Sequence, residues 1–393
     1  MRVAIVGAGP IGIEAALHAA ERGHDVQVYE RGAVGANVAA WGHVGLFSPW
    51  RLNRSRLGLA TLVGSRAEPA PAEVYPTGRD YLEQYLAPLA RSCGLVRRIH
   101  EGHAVVQVGR DRIAKSDLIG GPRERHPFRL LLEGPLGESV TQADVVLDCS
   151  GTYGHPNWIG NGNLPACGER ALAGRIDYTL QDIGGESRRR FEGRRVLLVG
   201  SGHSAATALA ALVGLAGTHV VWVVRGDVGD PLPVIDDDPL PERERLSRLA
   251  NRLAGGADSR VDCRRSTAVE RVSARGDGFD VVLSSRGVEE TVLVDRILAH
   301  VGYRPDSSLY RELQVHECYA TAGPMGLAAT LLGSAAGDCL AGSAVDGAAL
   351  RNPEPNFFIL GAKSYGRRSD FLIRTGIDQL RRVLELIEDE PRP

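Results

Sequence analysis

A glycine turn within the first dozen residues constrains this chain more than any other feature. Residues 2–6 (RVAIV) are a short apolar run of the kind buried in a parallel sheet. Gly7 to Gly12 spell GAGPIG, and apolar residues at 13, 16, 17 and 20 mark one face of a helix that Gly23 stops. A second strand, residues 25–29, ends at Glu30. Strand, turn, helix and strand within 30 residues open a βαβ unit whose turn receives a dinucleotide. Gly7 allows the tight turn, Gly9 lets backbone approach a pyrophosphate, and Gly12 lets the helix pack close to the strand. With Pro10 they are the expected phosphate-side residues, at a helix N-terminus that favours anions. Glu30 can accept both hydroxyls of an unphosphorylated adenosine ribose, and Arg31 beside it belongs to the same expected site.

The same grammar returns at residue 193. GRRVLLV leads into Gly200-Ser201-Gly202-His203-Ser204-Ala205, then an alanine- and leucine-rich helix, a break at Gly217 and a strand ending at Arg225. Ala205 stands where a third glycine would, and Arg225 where the acid would. A carboxylate there repels a ribose 2′-phosphate, whereas a guanidinium binds one bidentately and stacks on adenine. The second site therefore reads as one for NADPH, through Gly200, Gly202, His203, Ser204, Ala205 and Arg225. The competing reading is an ordinary surface arginine, because Lys115 and Lys363 are the only lysines among 46 basic residues.

Between the motifs, ADVVLDCSG ends in Cys149-Ser150-Gly151, with Gly154 and Pro156 following; DRILAHVGYRPD at 295–306 is its counterpart. These read as two chain crossings. The expected class is α/β, with two nested Rossmann-like three-layer domains: residues 1–156 plus 295–393, and an inserted domain over 157–294. A strand at 356–361, a loop and a terminal helix close the chain.

Several function classes drop out. A net charge of −2 leaves no clustered basic excess for nucleic acid or an anionic membrane. Residues 201–224 carry no full charge, but Gly217-Thr218-His219 interrupts them, so a helix–turn–strand is expected rather than a membrane span. The opening residues lack the pattern of a signal peptide. The six cysteines never come closer than 18 positions, which excludes a short-spacing redox dithiol and a sequence-readable zinc site. No metal is expected, and a reducing cytoplasmic setting is the default. Asp236-Asp237-Asp238, between Pro233 and Pro239, reads as a solvated turn.

The two motifs, the small-residue crossing before a Gly-x-x-Gly-x-Pro at 151–156, and the terminal strand–Gly–helix resemble the two-dinucleotide-binding-domain flavoproteins. In those proteins the first fold holds FAD and the second NADPH. Within them, FEGRRVLLVGSGHSA (191–205) and PTGRDYLEQYLAPLA (76–90) are most similar to class B flavin monooxygenases. The F-x-G-x-x-x-H fingerprint of that class is not intact around Gly174, and the terminal Gly-Asp of disulfide reductases is replaced by Gly361-Ala362-Lys363.

The resemblance implies cofactor contacts at Gly151 and Gly361. It implies that residues 34–53, with Trp41, His43, Phe47 and Trp50, cover the flavin. His43 would hydrogen-bond the flavin or move a proton, or else simply pack in the loop. Lys363 would favour reduced flavin as a nearby cation, or else be a solvated loop lysine. Cys149 reads as a small buried side chain, and Cys318, Cys339 and segment 316–337 have no assigned chemistry.

The activity implied is NADPH-driven monooxygenation through a flavin C4a-(hydro)peroxide, with O2 and a small molecule oxidised at nitrogen, sulfur or a carbonyl. The alternatives are a reductase or dehydrogenase that inserts no oxygen, and a nucleotide-binding sensor. The apolar stripe at 373, 377, 380, 384 and 387 packs either inward or on a twin subunit, as in a homodimer.

Overall fold

The computed structural model describes residues 1–63, 70–333 and 346–389. The chain divides into two compact units, Met1–His155 with Arg304–Pro393 and Pro156–Tyr303. The return crossing comes later than the expected 295. Arg296–Ala299 is a strand of the second unit, in parallel register with Arg195–Val199, so the chain leaves that unit only after Tyr303. The outgoing crossing falls at His155–Pro156.

The first unit is built on a parallel sheet in the order Phe357–Ile359, Val145–Asp148, Arg2–Val6, Asp25–Glu30, Ile99–Glu101. Its central strands carry apolar runs, Val3–Val6 and Val145–Leu147, because both faces are covered. Val3 and Ile5 join Val26, Val28 and Leu147 against Ile13 and Ala16 of the helix Pro10–Glu21 and against the terminal helix Ile373–Asp389. Ala4 and Val6 face the other way and pack with Phe357 on Val108, Phe128 and Leu130. Those three belong to an antiparallel sheet of Ala104–Arg110, Phe128–Gly134 and Gly137–Ala143. The alternation is the two-residue period of a strand read across three layers. Ile377, Leu380, Leu384 and Ile387 are buried in the same core, so the terminal stripe packs inward.

The helical stretch after Pro76 holds a feature that the sequence did not signal. Gly78–Tyr81 and Ala87–Ala90 are α-helical, but Leu82–Leu86 is a π-turn. The Tyr85 hydroxyl, in that turn, donates to Glu14 Oε1 at 2.5 Å and accepts from the Ser55 amide at 2.9 Å. A Cβ at position 58 would stand 2.0 Å from that hydroxyl, which is why Gly58 is there.

The second unit repeats the plan. Its parallel sheet runs Val261–Arg264, His219–Val223, Arg195–Val199, Arg296–Ala299, and its antiparallel sheet comprises Thr267–Arg275, Gly278–Ser285 and Val288–Val294. Leu197, Val199, Val221 and Val223 share a core with Val269, Val281 and Val292. Asp238 corrects the expected solvated turn: it is buried and ion-paired to Arg243 at 2.6 Å. Among the described residues no helix is long and apolar enough to cross a membrane, and no cluster of three or more His, Cys, Asp or Glu is placed to hold a metal.

Candidate functional site

In the first unit the glycine turn has the shape its sequence demands. Gly7 adopts φ +96°, a conformation that side chains resist. A Cβ on Gly12 would lie 1.9 Å from the Gly7 carbonyl oxygen, so helix and turn can touch only because position 12 is bare. A Cβ on Gly9 would meet nothing within 4 Å, leaving the side of the turn open to a ligand. Gly9 is also the N-cap of the helix, with Pro10 in its first turn, and no side chain caps the free amides. Uncapped helix amides beside open space are suited to a pyrophosphate.

The strand Asp25–Glu30 delivers Glu30 to the same place. Its carboxylate accepts from the Ala8 amide (Oε2, 2.8 Å) and the Gly32 amide (Oε1, 2.8 Å). These bonds fix the carboxylate in orientation, and each oxygen keeps a lone pair for a ribose hydroxyl. Glu30 lines a cavity of about 120 Å³ together with Gly7, Arg31, Gly151, Gly154 and Lys363. The Arg31 guanidinium lies over Gly154, where a Cβ would come within 2.5 Å of it. Gly151, at φ +68°, turns the chain out of the strand Val145–Asp148.

Lys363 stands in this wall as a buried residue, which sets aside the alternative of a solvated loop lysine. It is 1% exposed, and its ammonium donates to Asp148 Oδ2 at 2.6 Å and to Ser150 Oγ at 3.0 Å. It also lies 5.1 Å from the centre of the Tyr310 ring. Its charge is therefore spent on Asp148, at the end of the neighbouring strand. Gly361, at φ +72°, donates its amide to Gln379 Oε1 at 3.0 Å and would meet Ile11 at 3.2 Å if it carried a Cβ. Its part in the site is to seat the terminal loop on the first helix.

Trp41 and His43 do not line this cavity. Trp41 packs against Gly78, whose Cβ would meet the indole at 2.5 Å, and Trp50 is buried in the core. Among the cavity residues that escaped the sequence reading as site members are the polar Asn37, Ser150, His155 and Asp306. The His155 imidazole lies 3.6 Å from the Asp306 carboxylate. Burial holds His155 below the ordinary imidazole range, with Arg31, Arg304 and Lys363 adding to that and Asp306 opposing it. The signal for His155 and Asp306 was their position beside the two crossings.

The second unit has the same turn. Gly200 adopts φ +123°, and a Cβ there would strike the His300 carbonyl oxygen at 2.1 Å. Gly202 is the N-cap of the helix His203–Val213, again without a capping side chain and with open space at its Cα. Ala205 is fully buried, its methyl tolerated where the first unit needs a bare glycine. His203 pairs with the Ser247 hydroxyl at 3.3 Å, and Ser204 follows it in the first helical turn. Arg225 is exposed, and one of its amines reaches Asn163 Oδ1 at 3.5 Å.

Residues 2–154 match the family model described as FAD dependent oxidoreductase. Among curated proteins none matches the chain. Among solved structures, the bacillithiol disulfide reductase of Bacillus cereus is 19% identical, with a TM-score of 0.70 over 98% of this chain and 99% of that one. The thioredoxin reductase of T. acidophilum is 16% identical, with a TM-score of 0.61 over 98% of each chain. The ornithine N-hydroxylase of Kutzneria sp. 744 is 16% identical, with a TM-score of 0.60 over 98% of each. The fold is that of the two-dinucleotide-binding-domain flavoproteins.

Proposed function

We propose that the chain is an NADPH-consuming, FAD-dependent oxidoreductase that passes electrons from the flavin directly to a diffusible acceptor. The acceptor we favour is dioxygen, with a small nitrogen, sulfur or carbonyl compound as co-substrate, as in a monooxygenase. The observation that carries the direct transfer concerns thiols. Cys93, Cys149, Cys167, Cys263 and Cys318 are all free. Cys149, at the glycine turn, is buried, and desolvation pushes its thiol well above the ordinary range, so it does not supply a thiolate. Cys339 lies outside the described residues.

The residues present fit the cofactor. The turn Gly7–Gly12 and the uncapped helix amides would hold the pyrophosphate, and Glu30 the adenosine ribose. Arg31 on Gly154 would bound the adenine end. The Lys363–Asp148–Ser150 network ties together the wall of that cavity. FAD bound there supplies a carrier that takes two electrons from NADPH and yields them to oxygen or to an organic acceptor.

A second reading is reduction of a small substrate without oxygen insertion. Solved structures of this fold include both disulfide reductases and ornithine hydroxylases, so both readings are tested. One experiment separates the two: the FAD-loaded protein is given NADPH and candidate amines, thiols, disulfides or ketones, with and without oxygen. Oxygen consumption matched by an oxygenated product supports the monooxygenase. Turnover that persists under strict anaerobiosis, with no oxygen atom gained, replaces it with the reductase.

A further inference from the structure

The antiparallel sheet of the first unit has one face in the core and one that the core does not use. Phe128, Leu130 and Leu132 point inward with Val108 and Ala143. The two-residue period of a strand therefore turns Arg129, Leu131 and Glu133 outward. In register with them on one neighbouring strand stand Gln142, Val140 and Glu138, and on the other Gly109, Gln107 and Ala104. The outer face is thus three rows, spaced about 7 Å apart along the strands.

The middle row is apolar. Leu131 and Val140 stand opposite each other, and Val140 is 49% exposed. A bulge between Val105 and Gln107 adds Val106, which is 43% exposed. One exposed apolar side chain needs no explanation, but a contiguous row rimmed by charge marks a contact surface.

The rows on either side differ in charge. Glu133 and Glu138 are paired directly across the strands, a like-charge contact that destabilises a sheet. Both are exposed, and among the described residues neither is paired to a cation. At the other end Arg129 and Arg112 share one acid, Asp111, at 3.4 and 3.6 Å. Two guanidiniums against one carboxylate leave that end positive, while the end at Glu133 is negative.

We propose that this outer face is an interface with a second copy of the chain, in which Arg129 of each copy lies against Glu133 and Glu138 of the other, with Leu131 and Val140 packed between. Two copies related by a two-fold axis use the same face, so one such face suffices. The charges choose the direction of that axis. An axis along the strands would set Arg129 on Arg129 and the acid pair on its own image. An axis in the plane of the interface and across the strands exchanges the two ends, so each acid pair meets an arginine. An apolar centre with a charged rim then results, as in other protein interfaces. This inference is independent of the cofactor reading above.

The test is sedimentation velocity of the full chain from about 0.1 to 100 μM, at low and at high salt. Unmodified protein should be dimeric in the upper part of that range and dissociate more readily at high salt. Arg129→Glu should raise the dissociation constant at least about tenfold, and so should Glu133→Arg/Glu138→Arg, because each homodimer then sets like charges on one another. Mixed in equal amounts, the two variants should regain the parent's affinity, since acids at 129 of one then meet arginines at 133 and 138 of the other. A folding defect would not be repaired by mixing. Val140→Asp, which places a charge in the apolar row, should by itself give a monomer with an unchanged circular dichroism spectrum. A chain that stays monomeric throughout the range refutes the interface. A dimer that none of these substitutions weakens lies on another face and refutes it equally. Variants that are each weakened yet do not recover on mixing refute the two-fold axis across the strands, and the charge pairing with it.

Discussion

Replacing Lys363 by methionine tests how the first unit holds its cofactor wall. The ammonium and the Asp148 carboxylate are 2.6 Å apart and almost wholly sealed from water. Methionine keeps most of the side-chain length and removes the charge, leaving a buried carboxylate without its counter-ion. Removing one partner of a buried pair costs about 3–5 kcal/mol. Asp148 Oδ1 would still accept from the Ser150 amide at 3.1 Å and the Ser150 hydroxyl at 2.6 Å, so the lower end is expected, about 3 kcal/mol. At about 2–4 °C per kcal/mol for a unit of this size, the melting transition of the first unit should fall by roughly 6–12 °C. Scanning calorimetry of flavin-free protein reads this directly and resolves the transitions of the two units if they separate. Adding Asp148→Asn to Lys363→Met should restore much of the loss, since no uncompensated charge then remains. A single variant that melts within about 2 °C of the parent, or a double variant no more stable than the single one, would refute the reasoning.

Other outcomes follow from the same geometry. Gly12→Ala should yield protein that purifies without flavin, because a methyl 1.9 Å from the Gly7 carbonyl forces the turn open; absorbance near 450 nm checks it. Glu30→Ala should weaken FAD retention by about 1.5–3 kcal/mol, roughly ten- to a hundredfold, as measured by flavin titration of the apoprotein. His300 is buried, and desolvation lowers its imidazole to about 4 from an ordinary 6.5. The unfolded chain therefore binds the extra proton first as pH falls, so stability drops between about pH 6.5 and 4, by about 2 kcal/mol at pH 5. His300→Gln should flatten the melting temperature between pH 7 and pH 5 relative to the parent.

Some of this molecule is legible in its sequence because the demands behind it are local. A tight turn needs a positive φ at Gly7 and bare positions at 9 and 12, and it needs them between an apolar strand and a helix. Those conditions fall within a dozen residues and recur at Gly200, so the two glycine turns and the inserted order of the chain are legible. Glu30 was readable for the same reason, being placed by the length of one helix and one strand. Ala205 shows the limit of such reading, since its methyl is accommodated in a way that no spacing announces.

What only tertiary structure decided involves partners far apart in the chain. The sequence presents Lys363 as a cation just after the terminal strand; it is a buried strut because Asp148, 215 residues earlier, ends the adjacent strand. The π-turn at Leu82–Leu86 joins Tyr85 to Glu14 across 71 residues, and Arg286 reaches Asp227 across 59. The apolar run of the strand Arg296–Ala299 suits either sheet, and only its register with Arg195–Val199 chooses one. Local patterns encode backbone sterics and burial period, which act between near neighbours. The pairing of charges across the sequence is set by which strand ends the fold brings side by side, and no pattern in the sequence carries that information.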